Sequence, residues 1–221
     1  YTGVVSRIDP STNTIDKPVA VGPNPEEMVI VNKSLYVTNS DGNNYNAGYA
    51  NGKSVSKISL SDFVEEKKIA VGLNPTKITA DALGNVLVLC MGDYSATPAT
   101  VWKINAEDEA TSMNIPATIM DIKDNSLYVI NAPYGAPSIT YTVYNTSSGA
   151  VEKENFVSAP VDAPAGIAVH SDGRIFITSY TLVGGFASYK TPGYVSEYSS
   201  DGTFVKKYDV GVGAVSMTFL K

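Results

Sequence analysis

The chain has 221 residues, 43% of them hydrophobic and 17% charged, with a formal net charge of −6 and a single cysteine. That length and balance describe a globular protein able to bury a sizeable core. They argue against nucleic acid as a partner, since no Lys/Arg stripe is present to neutralise phosphates, and no apolar run is long enough to form a transmembrane segment. Cys90 stands alone, so no internal disulfide can form, which leaves the redox compartment open.

In chain order, alternating apolar and polar residues predict strands almost throughout, and no segment carries a helical apolar stripe with caps. Two opening strands, Val4–Ile8 and Ile15–Val21, precede four repeats of four strands each. The first repeat is Met28–Val31, Leu35–Asn39, Val55–Ile58 and Val64–Val71; the second is Lys77–Ala80, Val86–Cys90, Val101–Ile104 and Ser112–Ile115. The third is Ile119–Ile122, Leu127–Asn131, Tyr141–Tyr144 and Val151–Val157; the fourth is Ile167–His170, Ile175–Ser179, Tyr194–Tyr198 and Phe204–Val210. A closing strand is expected over Val215–Phe219. Short Asn/Asp/Gly turns at Asn32-Lys33, Leu83-Gly84-Asn85, Asp124-Asn125 and Asp172-Gly173 join the first two strands of each repeat.

Val21-Gly22 and Asn24-Pro25 return as Val71-Gly72 and Asn74-Pro75, roughly 50 residues later, a period that belongs to stacked repeats. Four-stranded antiparallel units at this period predict an all-β fold, a β-propeller, with residues 1–221 forming a single domain. About four complete blades are expected, with a partial blade at each end. The mismatch of the ends leaves two readings, five blades that close imperfectly or blades missing on the N-terminal side; the second is favoured because an open ring would leave strand edges bare.

The ordered runs Ile8–Asn13 (IDPSTN), Val21–Glu27 (VGPNPEE), Leu35–Ser40 (LYVTNS), Val71–Lys77 (VGLNPTK) and Cys90–Tyr94 (CMGDY), with Asn131–Gly135 and Thr191–Gly202, resemble the YVTN family of seven-bladed surface β-propellers. They are most similar to a branch of exported lipoproteins from Gram-negative gut anaerobes. Some of that branch are vitamin B12 (cobalamin)-binding proteins that sit over a TonB-dependent outer-membrane transporter and pass the corrinoid to it. The resemblance implies that role, an outer-membrane, cell-surface location and no cofactor beyond the transported ligand. The family's acylated N-terminal Cys has no counterpart in this sequence.

In a propeller the connections between second and third strands share one face, and here they are long: Asp41–Lys53, Met91–Ala99, Ala132–Ser138 and Tyr180–Gly193. They, and the strand ends beside them, carry Tyr45, Tyr49, Tyr94, Tyr134, Tyr180, Phe186 and Tyr189, interleaved with Asn43, Asn44, Asn46, Asp93, Asn131 and Lys190. Tyrosine offers a flat apolar body and a polar tip at low entropic cost. The expected ligand-binding set is therefore Asn43, Tyr45, Tyr49, Asp93, Tyr94, Asn131, Tyr134, Tyr180, Phe186 and Tyr189, a rim suited to a wide corrinoid disc edged with amides. It suits glycans or protein partners nearly as well, so a surface scaffold with no corrinoid role is the alternative.

No enzyme chemistry is expected. His170, the only histidine, falls in a turn opposite those loops, and with one Cys no zinc cluster or Cys/His pair can be assembled. Glu26-Glu27 and Glu65-Glu66 point to opposite sides of their strands and form no dyad on their own. Asp41-Gly42-Asn43-Asn44 resembles a calcium loop only in part, without the spacing or closing Glu of an EF-hand. Tyr36, Trp102, Tyr128 and Phe176 are expected in the core.

Overall fold

A computed structural model describes residues 3–134 and 138–219. It is almost entirely β: four-stranded antiparallel sheets arranged as the blades of a β-propeller, with one 3-10 helix, Gly42–Ala47, among the described residues. The chain divides into two compact units, Tyr1–Pro116 and Ala117–Lys221.

The first unit holds two complete sheets. One is built from Pro25–Val31, Ser34–Asn39, Ser54–Ser59 and Glu65–Ala70, the other from Pro75–Ala80, Val86–Cys90, Thr100–Ile104 and Ala110–Pro116, each pairing its strands in chain order. Their innermost strands run side by side, joined by a carboxylate: Glu27 Oε2 accepts the Ile78 N–H at 2.8 Å while Oε1 meets Lys77 Nζ at 2.8 Å. One face of the first sheet packs Leu35, Val37 and Ile58 against Val5 and Val21. Its other face, with Val31, Tyr36, Val55 and Ile69, meets Ile78, Val86, Val88 and Ile104 of the second. Burial on both faces explains why Val86–Cys90 reads as an unbroken apolar run; each such fully buried side chain contributes roughly 1.5–3 kcal/mol.

The repeated Val-Gly and Asn-Pro pairs have a steric cause. A Cβ on Gly22 would sit 2.5 Å from Asn39 Cγ, and one on Gly72 would sit 2.4 Å from Trp102 Nε1 and 2.9 Å from Cys90 Cβ. The connection into each sheet passes directly over the end of that sheet's second strand, where only glycine fits. Asn24 and Asn74 then take left-handed φ values of 48° and 56°, which asparagine tolerates better than most residues.

The second unit repeats this plan. Its sheets are Ile119–Lys123, Ser126–Asn131, Thr140–Asn145 and Val151–Glu154, then Pro164–Val169, Ile175–Ser179, Tyr194–Tyr198 and Phe204–Asp209. Again a carboxylate bridges the innermost strands, Asp121 Oδ2 accepting the Val169 N–H at 2.7 Å. The core between the sheets joins Ile130, Tyr141, Phe156, Ile175, Ile177 and Tyr198.

Several expectations need correction. Val215–Phe219 forms no strand: it passes beside Gly166, whose Cβ would meet the Val215 carbonyl at 2.2 Å, and Phe219 packs on His170 and Phe176 without ladder pairing. Val151–Val157 stops at Glu154 because Asn155 turns left-handed at φ 49°, which sends Phe156 into the core. The opening pair splits into Gly3–Val5/Val19–Val21 and Ile8–Asp9/Thr14–Ile15. Pro18, which lacks an N–H, and the Arg7–Asp16 ion pair at 2.6 Å lie between the pieces. Tyr36 is buried, but Trp102, Tyr128 and Phe176 are only half-buried at core margins.

Candidate functional site

In the first unit, the connection into the first sheet holds the loop that leaves its second strand. Ser40 N–H donates to the Asn24 carbonyl at 3.1 Å and Asp41 N–H to the Pro23 carbonyl at 3.1 Å. The same clasp recurs in the second sheet, Met91 N–H to Asn74 at 2.8 Å and Gly92 N–H to Leu73 at 3.0 Å. The long loops therefore start from fixed points on rigid sheets.

Asp41 begins the first loop in a left-handed conformation, φ 55°, and is only 5% exposed. Its Oδ2 accepts from Asn51 N–H at 2.9 Å and from Asn44 Nδ2 at 3.0 Å, closing the loop on itself. Asn43 N–H donates to Asn24 Oδ1 at 3.2 Å. Asn43 and Tyr45 stand exposed on the 3-10 turn and Tyr49 is half-buried. The next loop brings Tyr94 against Tyr49, ring centroids 6.1 Å apart and edge-on. Burial first, then the neighbouring Tyr94 and Asp93, raise the Tyr49 phenol above its ordinary pKa.

Asp93 serves its own loop. Its Oδ1 accepts from Thr97 N–H at 2.8 Å and Ser95 N–H at 2.9 Å, and these bonds hold its carboxyl below the usual range. One carboxylate oxygen is thus committed to the turn, and Tyr94 with φ 58° presents its ring outward at 64% exposure.

In the second unit, Tyr180 and Tyr189 pair edge-on at 4.9 Å across the base of their loop, and burial with the Tyr189 neighbour raises the Tyr180 phenol. Between them lies a small hairpin that the sequence reading missed, Leu182–Val183 against Phe186–Ala187, turning on Gly184 and Gly185. Phe186 at its tip is 72% exposed. Asn131 ends its strand half-buried, opposite Thr140. Tyr134 is 99% exposed, has no ring contact among the described residues, and Gly135–Pro137 lie outside them. The structure thus brings Tyr49, Asp93 and Tyr94 together, and Tyr180 with Tyr189. Tyr45, Tyr134 and Phe186 stand separately.

A second feature was not anticipated. A cavity of about 530 Å³ opens beside the first loop, lined by Val21, Gly22 and Pro23, by Asp41, Asn43, Asn44 and Asn51, and by Lys68. Its signal in the sequence was only the Asp-Gly-Asn-Asn run.

His170 lies in the hairpin turn after Pro164–Val169, at the other end of those strands from the Tyr180 loop. Its Nδ1 is 2.8 Å from Asp172 Oδ1 and its ring meets Phe219 edge-on at 4.7 Å. Cys90 is 1% exposed and its thiol is pushed up to about 12 by burial. Among the described residues no three His, Cys, Asp or Glu side chains gather as metal ligands, and no helix is long and apolar enough to cross a membrane.

The sequence matches no protein-family model and no curated protein. Solved structures do match. Hydrazine synthase of Kuenenia stuttgartiensis is 18% identical with a TM-score of 0.66, over 96% of this chain and 61% of that one. A functionally unknown protein of Desulfotomaculum acetoxidans is 12% identical with a TM-score of 0.60, over 95% and 63%. A quinoprotein alcohol dehydrogenase-like protein of Bacteroides thetaiotaomicron is 16% identical with a TM-score of 0.56, over 95% and 53%. At such identities the likeness concerns the propeller fold alone. This chain spans less than two thirds of each of these three chains.

Proposed function

We propose that this protein is a non-enzymatic surface binding protein that captures a corrinoid, vitamin B12, and passes it to a TonB-dependent outer-membrane transporter. The supporting observation is the Tyr49–Tyr94 pair, which two different loops of rigid sheets hold at a fixed spacing with Tyr94 open to solvent. A tyrosine pair of this kind contributes flat contact area that is already ordered, so little rotamer freedom is lost when a ligand arrives. Tyr180 and Tyr189 form a comparable pair in the second unit. The side-chain amide of Asn43, in the same unit as the Tyr49–Tyr94 pair, matches the carboxamide rim of a corrinoid, since an amide donates and accepts in the same group.

The sequence motifs supply the corrinoid itself, through their resemblance to the B12-binding surface lipoproteins. The capture role fits a site whose carboxylate Asp93 is held ionised by backbone N–H groups, rather than poised near neutrality as general acid–base work requires.

Equilibrium dialysis against cyanocobalamin, with the native chain and the Tyr49→Ala/Tyr94→Ala variant, tests this reading. Retention of the corrinoid by the native chain and at least about a tenfold weaker retention by the variant is expected, a difference of about 1.4 kcal/mol. Equal retention by both would remove the tyrosine pair from the site.

A further inference from the structure

The cavity beside Asp41 has a different chemistry from the tyrosine pairs. Asp41 is 5% exposed yet lines it. Its Oδ2 is occupied by Asn51 N–H and Asn44 Nδ2, while its Oδ1 accepts no hydrogen bond among the described residues. In the cavity lining, a carboxylate oxygen that no protein group occupies is available to a hydroxyl donor of a ligand. The side-chain amides of Asn43 and Asn51 likewise make no hydrogen bond among the described residues, and Asn44 keeps its Oδ1 free. Lys68 closes the lining, its Nζ held only loosely by Glu65 at 3.9 Å.

We infer that this cavity is a binding site for a neutral, hydroxyl-rich ligand, a mono- or disaccharide. The lining balances one carboxylate against one ammonium, so a ligand with net charge meets no matching field. What remains is a set of amide, carboxylate and ammonium groups around one cavity, both donors and acceptors, which a row of hydroxyls satisfies because each hydroxyl both gives and takes a hydrogen bond. A site that presents unpaired polar groups rejects ligands unable to pair with them, which is the basis of discrimination among polar molecules. The volume, about 530 Å³, lies within the range of small-molecule sites.

A divalent cation fits poorly. Calcium takes six to eight oxygens, mostly carboxylate and carbonyl, and here a single carboxylate faces a lysine. A peptide fits poorly as well, since the lining offers apolar contact only from Val21 and Pro23. The loop is firmly built: Asp41 N–H is fixed to Pro23, and Ser40 Oγ donates to Glu26 Oε1 at 2.8 Å. The cavity therefore needs no rearrangement to receive a sugar.

The test is a titration of the native chain with glucose, galactose, mannose, xylose and N-acetylglucosamine, read by backbone amide shifts and calorimetry. The expected result is saturable millimolar binding of at least one sugar, with shifts confined to residues around Asn43–Asn51. Asn51→Ala combined with Lys68→Ala alters two exposed side chains and leaves the loop's backbone bonds in place. It should weaken that sugar at least about tenfold with an unchanged melting temperature; Asp41→Asn, which keeps an acceptor for the Asn51 N–H, should weaken it likewise. Binding of no sugar, or binding that survives these substitutions, would overturn the inference. So would a saturable response of the same amides to calcium chloride alone. Cyanocobalamin titrated in parallel should bind both chains equally. Sugar binding without corrinoid binding would sink the corrinoid reading alone.

Discussion

The loops Asp41–Lys53 and Tyr180–Gly193 fill the same slot, between the second and third strands of a sheet, and are built in opposite ways. The first is folded around a buried carboxylate, Asp41, and clasped to the preceding connection by backbone bonds. The second is an apolar arm whose Leu182, Val183 and Phe186 stand in solvent, anchored at its base by Ser188 N–H to Thr181 and Thr181 Oγ1 to Pro192. One loop presents fixed polar groups and can supply specificity. The other presents adaptable apolar area and can supply affinity once a ligand or partner covers it. A propeller frame permits both because paired strands fix the two ends of each loop, whatever the loop itself contains.

The largest expected effect breaks the anchored loop. A Cβ on Gly52 would lie 1.9 Å from the Ser40 carbonyl oxygen, so Gly52→Ala forces the backbone apart and should cost about 3 kcal/mol in urea denaturation. Asp41→Ala comes next: it leaves the Asn51 N–H without its acceptor and should cost about 1–3 kcal/mol, whereas Asp41→Asn keeps an acceptor and should cost less. By contrast, Leu182→Ser with Phe186→Ser should stay within about 0.5 kcal/mol of the native chain, because those side chains are exposed. Equal losses in the two loops would erase the contrast between them.

Acid sharpens the same contrast. Asp93 lies below its ordinary value of 3.8 because backbone N–H groups of Thr97 and Ser95 stabilise the ionised form, and Asp201 is drawn down to about 2 by Ser199 and Thr203. A folded-state value below the unfolded one means that the stabilisation is complete above about pH 4 and is lost as pH falls toward 2. Hydrogen exchange should show the Asp93–Thr97 turn losing protection in that window. The Tyr180–Gly193 loop, which contains no Asp or Glu, should be unaffected. The smallest effect is chemical: Cys90, buried and with its thiol pushed up to about 12, should resist thiol reagents at neutral pH in the native state. Because the unfolded thiol ionises near 9.0 and the folded one does not, stability should begin to fall only above that pH.

The sheets were legible because alternation and two-residue turns are local signals. Asn32 and Lys33, for instance, take the two positive φ values of a tight hairpin turn, 46° and 69°. Val215–Phe219 misled because alternation reports an amphipathic segment, not whether a neighbour offers free backbone groups. The hairpin at 182–187 has strands too short for periodicity to register, although Gly184-Gly185 carried its turn signal. At the site, the tyrosine content of the loops was plain from sequence. The Tyr49–Tyr94 contact was not, because it joins residues on different blades. Asp93 followed by Ser95 and Thr97 has the pattern of a side chain capping its own turn, and that role takes up the oxygen that the ligand-binding expectation assigned to a ligand. Closure of a loop by Asp41 onto Asn51 had no sequence signature.

Calorimetric titration of cyanocobalamin into the native chain tests the capture role most directly. Saturable heat at micromolar protein, reduced when Tyr49 and Tyr94 are replaced by alanine and unchanged by Leu182→Ser, is the result predicted. A flat titration of a folded chain would contradict it.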